Sequence, residues 1–149
     1  MNMSEESHHK ISLAIEQLEN ALSLFLNGRS HVSALTLAGA AEEILGMAVK
    51  INGVENSLQE LYRIYNDPGL TWINPPKTWA EFTTKGKNKA RNAVKHVSGK
   101  YDLTFEADIE DEALWMIVRA VDDYNRLGFG PTELMHEFDD WFFENVVGI

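Results

Sequence analysis

Cysteine is absent from these 149 residues. That excludes a disulfide framework, a thiolate metal site and a cysteine nucleophile, and it suits a reducing compartment. Long apolar runs are missing too: none approaches the roughly 20 uninterrupted residues that a membrane span needs. The chain starts on the polar "MNMSEESHHK", which has none of the layout of an export signal. A soluble, cytoplasmic protein with no membrane association is therefore expected. Basic residues are outnumbered, 13 Lys and Arg against 23 Asp and Glu, for a formal charge of −10. So acidic a surface argues against indiscriminate binding of nucleic acid over the whole molecule, but leaves room for one local basic site. Proline is scarce, and three of the four sit with a glycine in "NDPGLTWINPPKTW", which must be a loop.

What remains is the composition of an ordinary globular domain, 44% apolar and 24% charged, long enough to bury a real core as one domain over residues 1–149. Ile11, Ile15, Leu18, Leu22 and Phe25 recur at helical spacing, with Ser4 or Ser7 available as a cap and Asn27-Gly28 as the stop. "SHVSALTLAGAAEEILGMAVKI" follows, its apolar face rich in Ala and Gly. Small residues let neighbours approach closely, which marks this as the central helix of a bundle, closed by Asn52-Gly53. The short link between these two long helices favours an antiparallel hairpin. Further helices are predicted over Ser57–Tyr65, over Trp79–Val97 with a break near Gly86 and a C-terminal Gly99, over Asp108–Leu127, and from Pro131 through Phe142. No strand alternation is sustained. The expected fold is an all-α, up-and-down bundle of about five to six helices.

The charge is uneven. Residues 85–100, "KGKNKARNAVKHVSGK", hold six of the thirteen basic residues and no acid, whereas residues 102–149 hold thirteen acids against Arg119 and Arg126. On a helical wheel with Arg91 at zero, Ala90, Ala93, Val94 and Val97 fall at about 260°, 200°, 300° and 240°. Lys95, Asn92 and His96 fall near about 40°, 100° and 140°. One face should pack on the bundle while the other presents an arginine, an amide, an ammonium and an imidazole, a place for a phosphate group. His96 would sit in the last turn, where the helix dipole favours its protonated form. The plain alternative is a solvated basic face with a histidine near a helix end.

Arg91, then polar Asn92, then His96 resembles the Arg-polar-x3-His signature of the HEPN superfamily, and "AGAAEEIL" resembles the Ala-rich, glutamate-bearing helix common there. The resemblance covers most of the chain as helix order but only these two stretches as residues. It implies a small all-α bundle, typically a homodimer, in which many members are metal-independent ribonucleases with the motifs of two protomers lining one cleft. By that match Glu42 is the supporting acid, with Glu43 in reserve. The implied partners are RNA or a nucleotide and, for toxins of this superfamily, an antitoxin-like protein. No cofactor and no metal is implied.

Those residue types suit the chemistry. Without a metal, RNA is cut when its own 2′-hydroxyl attacks the adjacent phosphorus, which needs a proton-transfer group and positive charge near the phosphate. His96 can move the proton. Arg91 offers a planar, permanently charged fork; Asn92 can bond the phosphate or orient the imidazole. Lys87, Lys89 and Lys95 can hold flanking phosphates. A non-catalytic module binding nucleotide, RNA or protein, or a helical protein of unrelated role with a coincidental motif, are the alternatives. Elsewhere, His8-His9 beside Glu5 and Glu6 reads as a terminal run and not a metal site. The runs Glu110-Asp111-Glu112 and Asp139-Asp140 read as solvated faces. Trp72 and Trp79 are expected to plug one end of the bundle, with stacking on a base as the alternative, and Phe138, Trp141, Phe142 and Phe143 to lie in the core or at a dimer interface.

Overall fold

A computed structural model describes residues 4–148. The fold is all-α, with no strand among the described residues. Its helices are α1 (Lys10–Leu26), α2 (His31–Ile51), α3 (Ser57–Tyr65), α4 (Trp79–Phe82), α5 (Lys89–Ala93), α6 (Ile109–Arg126) and α7 (Glu133–Phe142).

α1 and α2 are joined by a tight turn in which Gly28 takes φ +60°, a left-handed conformation that costs glycine nothing. α1 is capped by His9, whose Nδ1 accepts from the Ile11 amide at 3.2 Å; Ser4 and Ser7 lie upstream, outside any helix. α2 is the centre of the bundle, packed mainly against α1 and α6. Ala34, Ala38, Gly39, Ala41 and Gly46 are all buried along it, and their small size lets both neighbours close in. By length and hydropathy α2 could cross a membrane, but half of its most apolar window is buried inside the bundle. Leu18 and Leu22 of α1, Leu35 and Leu45 of α2 and Ile117 of α6 are fully enclosed, each contributing about 1.5–3 kcal/mol of burial.

α7 begins after Thr132, whose hydroxyl accepts from the Met135 amide at 3.3 Å, so Pro131 lies just outside it. It closes the bundle by edge-to-face packing of Phe25 on Phe138 and Trp141, with centroids 5.9 and 4.9 Å apart. Phe138 is core, while Phe143 is exposed.

Two expectations are corrected. Trp72 does not plug an end of the bundle: it is 82% exposed, its indole N–H donating to the Gly69 carbonyl in its own loop. Tyr62, Tyr65 and Phe82 pack on one another instead, with Trp79 edge-on to Tyr62. The segment 79–97 is broken around Gly86 as expected, but its helix ends earlier than Val97. α4, started by a Thr78–Glu81 capping box, gives way near Gly86 to a wide turn over Thr83–Lys87, in which the Asn88 amide reaches back to the Thr83 carbonyl. α5 then stops at Ala93, and Gly99 is not its cap. Short helices need an apolar face to pack, and Val97 has nothing to pack on, being 66% exposed.

Candidate functional site

α5 is only five residues long, and its inward face is set by Ala90 and Arg91. Arg91 is 8% exposed, so it does not belong to the solvent-facing polar strip that the helical wheel gave it. Its aliphatic stem lies across α2 at Gly39, where a Cβ would stand 2.4 Å from Arg91 Cδ. One turn along, Glu42 meets its guanidinium: Arg91 Nη1 donates to Glu42 Oε2 at 3.2 Å. The other carboxylate oxygen, Oε1, pairs with Arg119 Nη2 of α6 at 2.8 Å, and the same nitrogen lies 2.9 Å from Asn88 Oδ1. Glu42 and Arg119 are each 4% exposed. One carboxylate thus bridges two guanidiniums inside the bundle, tying α2, α5 and α6 together. The Nε of each arginine is buried without a partner.

The absence of a Cβ at position 39 is what admits Arg91. Gly39→Ala is expected to lower stability by about 1–3 kcal/mol, the usual cost of overpacking. Urea unfolding checks this; an unchanged midpoint would mean that the arginine can move aside freely.

The other sequence-predicted residues lie outward. His96 is exposed and beyond the end of α5, its backbone amide bonded to the Asn92 carbonyl at 3.1 Å. No hydrogen bond or ion pair joins it to Arg91 among the described residues, so within one chain the two do not form a pair. Asn92 is half-buried, and Lys85, Lys87, Lys89, Lys95 and Lys100 are exposed. The basic stretch is therefore a surface of five lysines and an imidazole, anchored from beneath by the Arg91–Glu42–Arg119 cluster. Among the described residues no group of three or more His, Asp and Glu side chains could hold a metal.

Arg119, Asn88 and Asp123 were not singled out from the sequence. Arg119 and Asp123 interrupt the apolar face of α6 between Met116, Ala120 and Tyr124, and charged residues at core spacing were the available signal. Asp123 is fully buried. Its Oδ1 accepts from the Ser57 amide at the start of α3, at 2.8 Å, while Oδ2 is unpartnered and sits close to Gly46, where a Cβ would be 3.1 Å away. Burial pushes its carboxyl up to about 7, with the charges of Glu42 and Asp122 adding to the rise against the pull of the Ser57 hydrogen bond and of Arg126. Comparison with protein-family models, with curated proteins and with solved structures found no significant match to this chain.

Proposed function

We propose that this protein is a HEPN-like, metal-independent endoribonuclease that works as a homodimer on RNA held by the basic segment 85–100. The observation that carries this reading is electrostatic. Glu42 offers one negative charge to two buried guanidiniums, so a unit of positive charge stays uncompensated within the cluster, beneath five exposed lysines. In a low-dielectric setting such a charge attracts an anion more strongly than a surface lysine does. A phosphodiester supplies that anion, and the lysines follow its neighbours.

In this reading the RNA 2′-hydroxyl is the nucleophile and His96 accepts its proton. Arg91 stabilises charge building on the phosphate through the terminal nitrogen that Glu42 leaves free, and a second protomer's copy of the segment completes the site. The products are a 2′,3′-cyclic phosphate and a 5′-hydroxyl. One observation favours a second reading, a module that binds RNA without cutting it: the burial of Arg91 and its engagement by Glu42 leave its fork little access to substrate.

His96→Ala separates the two, because an exposed side chain without partners can be removed without harm to the fold. Incubation with mixed RNA in EDTA is expected to give 2′,3′-cyclic ends with the native chain and a loss of at least about a hundredfold in rate with the variant, at unchanged melting temperature. RNA retained but never cut leaves the binding module. RNA neither cut nor retained removes both.

A further inference from the structure

A cleft of about 830 Å3 opens between α3, the turn after α4 and α6. Its walls carry three aromatic rings, Tyr65, Phe82 and Trp115, together with Lys77, Lys87 and Glu112. The rings are held by their surroundings. Phe82 packs against Tyr65 at 5.4 Å between centroids, Lys77 Nζ stands 5.0 Å over the Tyr65 ring, and Trp115 donates its indole N–H to Asp111 at 3.1 Å while meeting Phe142 edge-on. A cavity of this size, whose aromatic rings stand among charged side chains of both signs, suits a flat heterocycle that also carries hydrogen-bonding edges.

The carboxylates around it differ in one respect. Glu60 and Asp122 are both engaged by Arg126, and Asp111 is taken by the Trp115 indole. Glu112 has no hydrogen bond or ion pair among the described residues. Burial and then the Asp111 charge raise its carboxyl above the ordinary range, against the pull of the Lys87 and Arg119 charges. Lys87 belongs both to this lining and to the basic segment, so a chain of phosphates following the lysines passes the mouth of the cleft.

We infer that this cleft is a nucleobase pocket in which Glu112 selects guanine; the inference rests on the proposed action on RNA and names the base that the site would prefer. The selectivity follows from donor patterns. Two carboxylate oxygens match the adjacent N1–H and N2–H donors of guanine, a pair of parallel hydrogen bonds. Adenine and cytosine set a ring-nitrogen acceptor beside their one amino group, and uracil flanks its single N–H with two carbonyls, so each opposes a carboxylate with a lone pair. The half-exposed Trp115 indole takes the base face without regard to sequence, and Lys87 meets the phosphate.

The test is calorimetric titration of the full chain with GMP, AMP, CMP and UMP, alongside retention of mixed RNA. GMP is expected to bind tightest by roughly tenfold, the scale of one well-formed bidentate base contact. Glu112→Gln should abolish that preference at unchanged melting temperature, and Trp115→Ala should weaken all four nucleotides alike while circular dichroism shows the helices retained. Equal binding of the four, or a GMP preference that survives Glu112→Gln, overturns the pocket while RNA retention leaves the broader reading standing. A GMP preference without RNA retention overturns the broader reading and keeps the pocket. Failure of RNA and of every nucleotide to bind overturns both.

Discussion

Glu42→Gln is expected to lower the unfolding free energy by about 3–5 kcal/mol, the range for breaking a buried ion pair from one side. The amide keeps the shape of the carboxylate but offers one oxygen where two guanidiniums, on α5 and α6, now share two. Both arginines are buried with Nε already unpartnered; without the carboxylate Arg119 keeps Asn88 Oδ1 and the Lys87 carbonyl, whereas Arg91 keeps no other acceptor among the described residues. For a chain of this length the loss corresponds to a fall in melting temperature of at least about 10 °C. Differential scanning calorimetry measures it. Pairing Glu42→Gln with Arg91→Met should cost less than the sum of the single changes, because removing one guanidinium lowers the charge left exposed to the interior. Strict additivity would show that carboxylate and guanidinium do not act together.

The second large effect is a pH dependence centred on Asp123. Its carboxyl titrates at about 7 in the folded chain against an ordinary 3.8, so the folded state binds the proton more tightly than the unfolded state. The sign follows from that order: stability associated with the protonated form is complete below about pH 4 and is lost as pH rises through about 7. The full span amounts to roughly 4 kcal/mol. Asp123→Asn removes the titration while its carbonyl oxygen can still accept from the Ser57 amide. The variant should therefore be no more stable than the native chain at pH 4 and should gain on it steadily towards pH 8. Chemical denaturation at several pH values reads the difference. Parallel curves for the two proteins would rule out a neutral Asp123 in the fold. The physical origin is the same burial that holds α3: its first free amide is satisfied by a carboxylate whose other oxygen is buried without a partner.

How much of this was legible beforehand varies by element. The boundaries of α2, α3 and α6 lie within about two residues of those expected, and α1 stops at Asn27-Gly28 as expected but is capped by His9 in place of Ser4 or Ser7, because long amphipathic helices announce themselves through a repeated apolar spacing that local chemistry then ends. α5 did not behave so. Its wheel placed Arg91 with Lys95 and His96 because all three are polar, and polarity alone does not distinguish a solvated charge from one with a buried counterion. The partner, Glu42, lies 49 positions earlier in the chain; the family resemblance pointed to it as a supporting acid, while the wheel had no means of drawing Arg91 inward. Gly39 carries the missing information in retrospect, since a glycine facing a neighbouring helix is room for something.

The helical class, the single apolar core built on the Ala- and Gly-rich α2, and the segregation of positive charge into residues 85–100 are written in the chain itself. These are properties of local spacing and composition, which the chain carries wherever it folds. Tertiary packing is what makes Arg91 a buried strut, leaves His96 an exposed imidazole and brings Arg119 into the cluster. It also decided that Glu112 faces a cleft with aromatic walls. Each of these depends on which distant side chain arrives within about 3 Å, the reach of a hydrogen bond, and that is settled by how α2, α5 and α6 pack together.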